Sequence, residues 1–136
     1  MIIFVYGTLK QGFRAHEMLK ESEYLGQIFT APYYALFSRI TYPCMVFAEY
    51  DGYQISGEIY QVDYETLRKL NQYECTGSGL YSLEVISLDK TSLYNNKKEM
   101  DVEYSLGYIY LGDISRMTKI KSWDKVIPDV YREDRI

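Results

Sequence analysis

The chain has 136 residues, 47% of them hydrophobic and 25% charged, which is the composition of one ordinary globular domain. Its formal net charge is −4 and its pI is near 5.0. This charge argues against nucleic acid as a partner, because a polyanion calls for a basic face. No apolar run approaches the roughly 20 residues that span a bilayer, and the first six residues lack the pattern of a signal peptide. We therefore expect a cytoplasmic protein with no membrane partner.

Strands are predicted by alternating or continuous apolar runs, which lie at residues 1–6, 27–30, 33–38, 45–50, 55–62, 80–88 and 102–111. The dipeptide Asp51-Gly52 is typical of a hairpin turn, so the two strands that flank it are expected to pair. Residues 91–101 are polar and predict an exposed loop. The tail after Gly112 contains Trp123 and one weakly helical stretch.

One good helix is predicted, at residues 63–74 (DYETLRKLNQYE), with Asp63 as its cap and Glu65 in its first turn. A shorter helical turn is predicted at residues 14–20. Because strands dominate, the predicted fold is α+β in a single domain over residues 1–136, with the sheet curled or closed into a small barrel.

The helix carries a carboxylate where an apolar residue is expected. Leu67 and Leu70 define the buried face, and the next position on that face is Glu74. A charge there is costly unless it is paired or its pKa rises. Either the helix frays at Gln72 and Glu74 turns into water, or Glu74 is a carboxyl tuned upward to act as general base and then acid.

The opening residues MIIFVYGTLKQG pass from an apolar strand directly into Gly-Thr-Leu. A strand that enters such a turn leaves backbone N–H groups without ladder partners, and Gly7 lets the backbone approach a ligand. Thr8 adds a hydroxyl. The segment is either an ordinary tight turn or a site for a carboxylate or phosphate.

Cysteine and histidine do not form a recognisable site. Cys44 and Cys75 are too few for a disulfide framework, and His16 cannot complete a zinc site with them. The sequence therefore predicts no metal. A cysteine nucleophile with His16 as base is an alternative, although nothing brings these residues together, and His16 better fits a structural hydrogen bond near the opening turn. Residues 77–79 (GSG) lack the helix, lysine and spacing of a phosphate loop.

Six segments, in this order, resemble one known family: VYGTLKQG (5–12), YPCMV (42–46), GEIYQVD (57–63), LNQYE (70–74), YSLEVI (81–86) and YIY (108–110). The chain resembles the gamma-glutamylcyclotransferase-like superfamily, which includes gamma-glutamylamine cyclotransferases and AIG2-like proteins. The resemblance covers about residues 2–112 and leaves residues 113–136 outside it. It implies a small mixed β-barrel of six or so strands, flanked by helices, with a pocket at one end.

The resemblance also implies an activity, in which a gamma-glutamyl amide closes on itself to give 5-oxoproline and a free amine, without a metal or organic cofactor. Glu74 matches the family's catalytic glutamate. The backbone of Tyr6, Gly7, Thr8 and Leu9 matches the loop that holds the α-carboxylate of the substrate. Tyr110 is a further candidate for lining the pocket.

Three positions depart from the family pattern. Ala15 precedes His16 where asparagine is frequent, Asn71 stands where aspartate is usual, and Cys75 stands where glycine is usual. These departures leave the substrate open, and with it the identity of the leaving amine. They also leave open a protein that binds its ligand without turnover.

Two alternatives from other classes therefore remain. One is a non-catalytic module that holds a small anionic metabolite in the same pocket. The other is an interaction module, because sixteen tyrosines are available and tyrosine is enriched at interfaces. We expect a monomer that binds a small molecule, and we expect residues 91–101 and the tail to shape the leaving-amine end of the pocket.

Overall fold

A computed structural model describes residues 1–38, 42–74, 80–94 and 100–123. Within these residues the chain forms eight strands, one 3₁₀ helix and one α-helix. No helix in this part of the chain combines the length and apolarity needed to cross a membrane. The elements in chain order are β1 (Ile2–Val5), the 3₁₀ helix (Arg14–Leu19), β2 (Glu23–Thr30), β3 (Tyr34–Ser38), β4 (Pro43–Phe47), β5 (Ser56–Gln61), α1 (Tyr64–Tyr73), β6 (Tyr81–Tyr94), β7 (Tyr104–Tyr110) and β8 (Thr118–Ile120).

Five strands close into a barrel in the order β1-β5-β2-β6-β7. β1 and β7 are parallel where Ile3 meets Leu106, and the other neighbours are antiparallel. A second, antiparallel sheet has the order β4-β3-β8. The α+β class and the mixed barrel are thus confirmed; within the described residues the barrel has five strands instead of six or so, and three more strands form the second sheet.

β1 contributes to both hydrophobic clusters of the core, because successive side chains of a strand point to opposite faces. Phe4 belongs to the cluster that includes Trp123 and, from the second sheet, Tyr34, Leu36 and Met45. Ile3 and Val5 belong to the cluster that includes Leu70 and the rest of the buried helix face. The chain segment that follows β1 is therefore held from both sides.

The predicted pairing across Asp51-Gly52 is wrong. β4 pairs with β3, whereas β5 pairs with β1 and β2. Residues 48–53 carry the chain from one sheet to the other, and Tyr53 N–H donates to the carbonyl of Tyr34 at 2.8 Å. The dipeptide correctly marks a turn, but a turn's composition does not determine which strand its flanks will meet.

β6 is longer than its hydrophobic pattern predicts. It continues to Tyr94, so the predicted loop over residues 91–101 is wrong for residues 91–94, while residues 95–99 lie outside the described part. Polar side chains take part in the strand here, because Phe29 N–H donates to the Ser92 hydroxyl at 2.9 Å. The pairing with β2 shifts register at this point.

Residues 113–123 are part of the fold. β8 pairs with β3, and the Trp123 side chain is only 1% exposed. Residues 112–123 contain this strand and no helix, and the remainder of the predicted tail, residues 124–136, lies outside the described residues. The second sheet therefore depends on a strand from this segment.

We expect Gly57→Ala to destabilise the protein, because a Cβ at Gly57 would lie 2.4 Å from Cζ of Phe4 and 2.6 Å from the carbonyl oxygen of Val5. Overpacking of this kind costs about 1–3 kcal/mol of the free energy of unfolding, which urea denaturation followed by circular dichroism measures. Gln61→Ala, at the exposed end of the same strand, is the control and should change stability by less than about 0.5 kcal/mol. A Gly57→Ala protein as stable as its parent would contradict the close approach of β5 to Phe4.

Candidate active site

Glu74 lies at the end of α1 on the face that packs into the core. The helix begins at its Asp63 cap, where Oδ1 accepts from Thr66 N–H at 2.7 Å. Leu70 is fully buried, and the backbone N–H of Glu74 donates to the carbonyl of Leu70 at 2.9 Å. The helical arrangement thus continues to Glu74, and the alternative of a helix that frays at Gln72 is wrong.

A cavity of about 460 Å³ opens where the end of α1 meets the residues after β1. Aromatic and aliphatic side chains supply most of its wall. Among the described residues, Glu74 is its only charged lining residue. The lining residues are Phe4, Val5, Tyr6, Gly7, Thr8, Leu9, Tyr42, Pro43, Tyr73, Glu74, Leu80, Tyr81 and Tyr108.

Burial raises the pKa of Glu74 from its ordinary value of 4.5 to about 7. The physical cause is desolvation, which disfavours the charged form of a carboxyl group. Within the described residues, no ion pair or side-chain hydrogen bond opposes this effect at Glu74. The direction is the one that the apolar helix face predicts, and a carboxyl with this pKa can accept or donate a proton near neutral pH.

The opening loop, residues 6–9, forms another wall of the same cavity. Lys10 N–H donates to the carbonyl of Gly7 at 3.0 Å, which closes a tight turn. The backbone N–H groups of Gly7, Thr8 and Leu9 form no backbone hydrogen bond with the described part of the chain. A Cβ at Gly7 would lie 2.8 Å from Cγ of Pro43, so the wall leaves no space for a larger residue. The segment is therefore both a tight turn and a set of amide donors beside the cavity.

Residues outside the cavity hold the opening loop in place. His16 Nδ1 is hydrogen-bonded to the carbonyl of Leu9 at 2.9 Å, which gives His16 the structural role that the sequence indicates. The buried Glu58 accepts from Gln11 N–H at 3.0 Å and from the Tyr60 hydroxyl at 2.9 Å, both on Oε1. Glu58 is not among the predicted site residues, although a single acidic residue within the apolar stretch of β5 is a signal that could identify it.

Tyr73 connects the end of α1 to the opening loop. Its hydroxyl and that of Thr8 are hydrogen-bonded at 2.9 Å. Tyr73 directly precedes Glu74 in the chain, and Thr8 lies in the middle of the opening loop. The hydrogen bond therefore links the element that carries the carboxyl to the element that carries the amide donors.

Tyr110 does not line the cavity, in contrast to the prediction. It is buried, and its ring packs edge-on against Tyr81 at a centroid distance of 5.3 Å. Tyr108, two residues earlier on the same face of β7, lines the cavity instead, opposite Leu83 in the β6–β7 register. A sequence pattern of period two cannot decide between these tyrosines, because both point to the same side.

The described residues do not bring a cysteine and His16 together. Cys44 is buried, and its Sγ lies 3.7 Å from the Tyr81 hydroxyl oxygen, whereas His16 contacts Leu9. No group of three or more His, Cys, Asp or Glu side chains that could hold a metal ion occurs in residues 1–38, 42–74, 80–94 and 100–123. Cys75 and residues 77–79 lie outside the described part of the chain.

Comparison with known proteins identifies similar sequences. The family model described as "Gamma-glutamyl cyclotransferase, AIG2-like" matches residues 3–125, which extends beyond residue 112. A Vibrio cholerae protein named "Putative gamma-glutamylcyclotransferase" is 43% identical over 74 residues, which are 54% of this chain and 61% of that protein. A Methanocaldococcus jannaschii protein of the same description is 40% identical over 73 residues, 53% of this chain and 59% of the relative. These matches span about three fifths of the relatives' length.

Solved structures share the fold over nearly the whole chain. The crystal structure of protein PH0828 from Pyrococcus horikoshii has a TM-score of 0.69 and 25% identity, and the match covers 99% of this chain and 95% of that one. An AIG2-like protein from Mus musculus has a TM-score of 0.69 and 24% identity, with 90% and 87% covered. Both likenesses support the barrel architecture.

We expect Thr8→Val and Tyr73→Phe to be non-additive in stability, because each removes one partner of the same hydrogen bond. A double-mutant cycle should give a coupling of about 0.5–1.5 kcal/mol in the free energy of unfolding, measured by urea denaturation. The same cycle between Thr8→Val and Tyr64→Phe, an exposed tyrosine at the start of α1, is the control and should be additive. Additive effects at Thr8 and Tyr73 would show that the contact does not link the two elements.

We expect Glu74→Gln to stabilise the folded protein above pH 7. A carboxyl with a pKa near 7 in the folded state and 4.5 when unfolded binds more protons when folded, so stability is lost as pH rises between these values. The variant lacks this penalty, so its gain should be near zero at pH 4 and about 1–3 kcal/mol at pH 8, measured by urea denaturation at both pH values.

The control for this pH dependence is Glu65→Gln on the exposed side of the same helix. The hydrogen bond from Arg68 lowers the pKa of Glu65, so its replacement should bring no gain at pH 8. Equal stability of the wild type and Glu74→Gln at both pH values would contradict the raised pKa of Glu74.

Proposed function

This chain belongs to the AIG2-like gamma-glutamyl cyclotransferase family, and from that premise we propose that it is an enzyme that converts a gamma-glutamyl amide into 5-oxoproline and a free amine. The observation that carries the proposal is the position of Glu74, a carboxyl with a pKa near 7 in the same cavity as the amide donors of the opening loop. Ring closure needs both a proton acceptor and a fixed α-amino acid end, and the cavity holds a candidate for each.

In the proposed mechanism, Glu74 first accepts a proton from the α-ammonium group of the substrate. The freed nitrogen attacks the γ-carbonyl carbon, and the bond from that carbon to the leaving nitrogen then breaks. Overall, two protons leave the α-nitrogen and two reach the leaving amine, so a group that alternately accepts and donates protons serves both ends of the reaction. A pKa near 7 suits this exchange at neutral pH.

We propose that the backbone of Tyr6, Gly7, Thr8 and Leu9 binds the α-carboxylate of the substrate. Amide N–H groups of a turn form a concave surface that suits an anion. Glu58 and His16, which support the turn, lie outside the cavity and leave these groups accessible to a ligand. With the carboxylate fixed there, the α-nitrogen is held near Glu74, so the attack gains from proximity. The proposed enzyme is a cytoplasmic monomer that acts on a small molecule and needs no cofactor.

The test is a turnover screen by mass spectrometry. The wild type and Glu74→Gln are incubated with a panel of gamma-glutamyl amides, and 5-oxoproline release is measured. We expect release by the wild type and a loss of about a hundredfold or more in Glu74→Gln, because the proton acceptor is removed while the shape is kept. Calorimetry should show similar affinity of both proteins for 5-oxoproline, since the opening loop is unchanged.

Glu65→Gln serves as the matched control for the turnover screen, because Glu65 is exposed on the same helix and does not line the cavity. It should keep the wild-type rate. If no amide in the panel releases 5-oxoproline although one of them binds, the protein is a binding module that uses the same cavity.

A further inference from the structure

We propose that Asn71 is a positioning residue for Tyr108, and that Tyr108 accepts a hydrogen bond from the amino group of the substrate beside Glu74. Asn71 would act by accepting the phenol proton, which leaves the lone pairs of the Tyr108 oxygen for the ligand. This inference rests on the proposed function, because it assumes an amino group in the cavity.

The contact itself is short and links two elements. The Tyr108 hydroxyl donates to Oδ1 of Asn71 at 2.6 Å. Tyr108 lies on β7, is 3% exposed and lines the cavity, and Asn71 lies one turn before Glu74 on α1. The helix that carries the proposed base therefore also sets the direction of the Tyr108 hydroxyl.

Tyr108 differs from Tyr6 and Tyr81, two other phenols that line the cavity. The Tyr6 hydroxyl donates to the backbone carbonyl of Tyr108 at 2.8 Å and accepts from Met45 N–H at 3.3 Å. It is therefore already both a donor and an acceptor of hydrogen bonds within the fold. The Tyr81 hydroxyl donates to the carbonyl of Pro43 at 3.4 Å and lies near the Cys44 sulfur. The Tyr108 hydroxyl donates to Asn71 and accepts from no group in the described part of the chain. A phenol oxygen in that state can still accept a hydrogen bond.

The electrostatic surroundings fit an acceptor and not a second base. Burial, and then the charge of Glu74, raise the pKa of Tyr108, so its phenol stays protonated at neutral pH. Glu74 and Tyr108 also line the same cavity. An α-ammonium group between them could give one proton to Glu74 and hold another N–H against Tyr108. With the nitrogen held by these two contacts, its lone pair would point toward the γ-carbonyl carbon.

An amide at position 71 accepts the phenol proton without adding charge. Aspartate could accept the same hydrogen bond, but it would place a second negative charge one helical turn from Glu74. A like charge raises the pKa of a carboxyl group, so Glu74 would lose its ionised form at neutral pH. Asn71→Asp therefore separates the two properties of this position, because it keeps the acceptor and changes the charge.

The experiment compares Tyr108→Phe, Asn71→Leu, their double variant and Asn71→Asp, with Tyr104→Phe at the exposed start of β7 as the matched control. Thermal unfolding first shows that each variant folds, and kcat and KM for a gamma-glutamyl amide are then measured from pH 5 to 9. We expect kcat to fall about ten- to a hundredfold in Tyr108→Phe and in Asn71→Leu. The double variant should be no slower than Tyr108→Phe, since Asn71 acts through Tyr108.

Asn71→Asp should keep the wild-type kcat at high pH and move the acidic limb of the pH profile to higher pH. A carboxyl NMR titration of the free protein should show the same upward movement for Glu74. Multiplicative losses in the double variant, an unchanged kcat in Asn71→Leu, or an unmoved acidic limb in Asn71→Asp would each overturn the proposal.

Failure of the proposed function would be distinguishable from failure of this inference. If the wild type releases no 5-oxoproline, calorimetry with L-glutamine, which carries the amino group and the γ-amide, replaces the kinetics. Weaker binding by Tyr108→Phe and Asn71→Leu, again without further loss in the double variant, would support the Asn71–Tyr108 pair even without turnover. Unchanged binding in these variants, or no binding by the wild type, would overturn it.

Discussion

The site depends on a carboxyl group that the helix places on its own buried face. Burial of an uncompensated charge normally costs stability, and the fold accepts this cost at Glu74 because Leu67 and Leu70 fix the same face against the core. The raised pKa and the apolar cavity wall follow from that one placement. A lysine or arginine beside Glu74 would remove the destabilisation and with it the proton affinity near neutral pH.

The polar groups that organise the cavity are divided between two locations. Glu58 and His16 lie behind the opening loop, where each is hydrogen-bonded to a backbone group. Thr8 and Tyr73 join the loop to α1 at the cavity itself. The loop amides are thereby kept in one arrangement before any ligand arrives, so binding does not have to order them, which is the general advantage of a preorganised site.

The features that the sequence predicts depend on residues close together in the chain, whereas the features that it misses depend on contacts between distant residues. Glu74 could be predicted because a helix has a fixed period, and a cap and two leucines suffice to locate its buried face. The dipeptide Asp51-Gly52 also predicts a turn at the right place, but the pairing of the flanking strands depends on contacts distant in sequence. The exchange of Tyr110 for Tyr108 has the same origin, because only the barrel's register decides which of two equivalent positions meets the cavity. The proposed reaction comes from the family resemblance, because no local pattern in the sequence indicates it.

The hydrogen bond from the Tyr6 hydroxyl to the carbonyl of Tyr108 spans 102 positions of the chain. Closure of the barrel between β1 and β7 brings these two residues together. β1 therefore lacks one of its two neighbouring strands until β7 has formed. During synthesis, residues 1–9 can therefore form the cavity wall only after most of the polypeptide has been made. Contacts of such long sequence separation form slowly and carry a large loop-closure entropy. The cavity is consequently a product of complete folding, and a partly synthesised chain would have neither the binding surface nor the buried carboxyl.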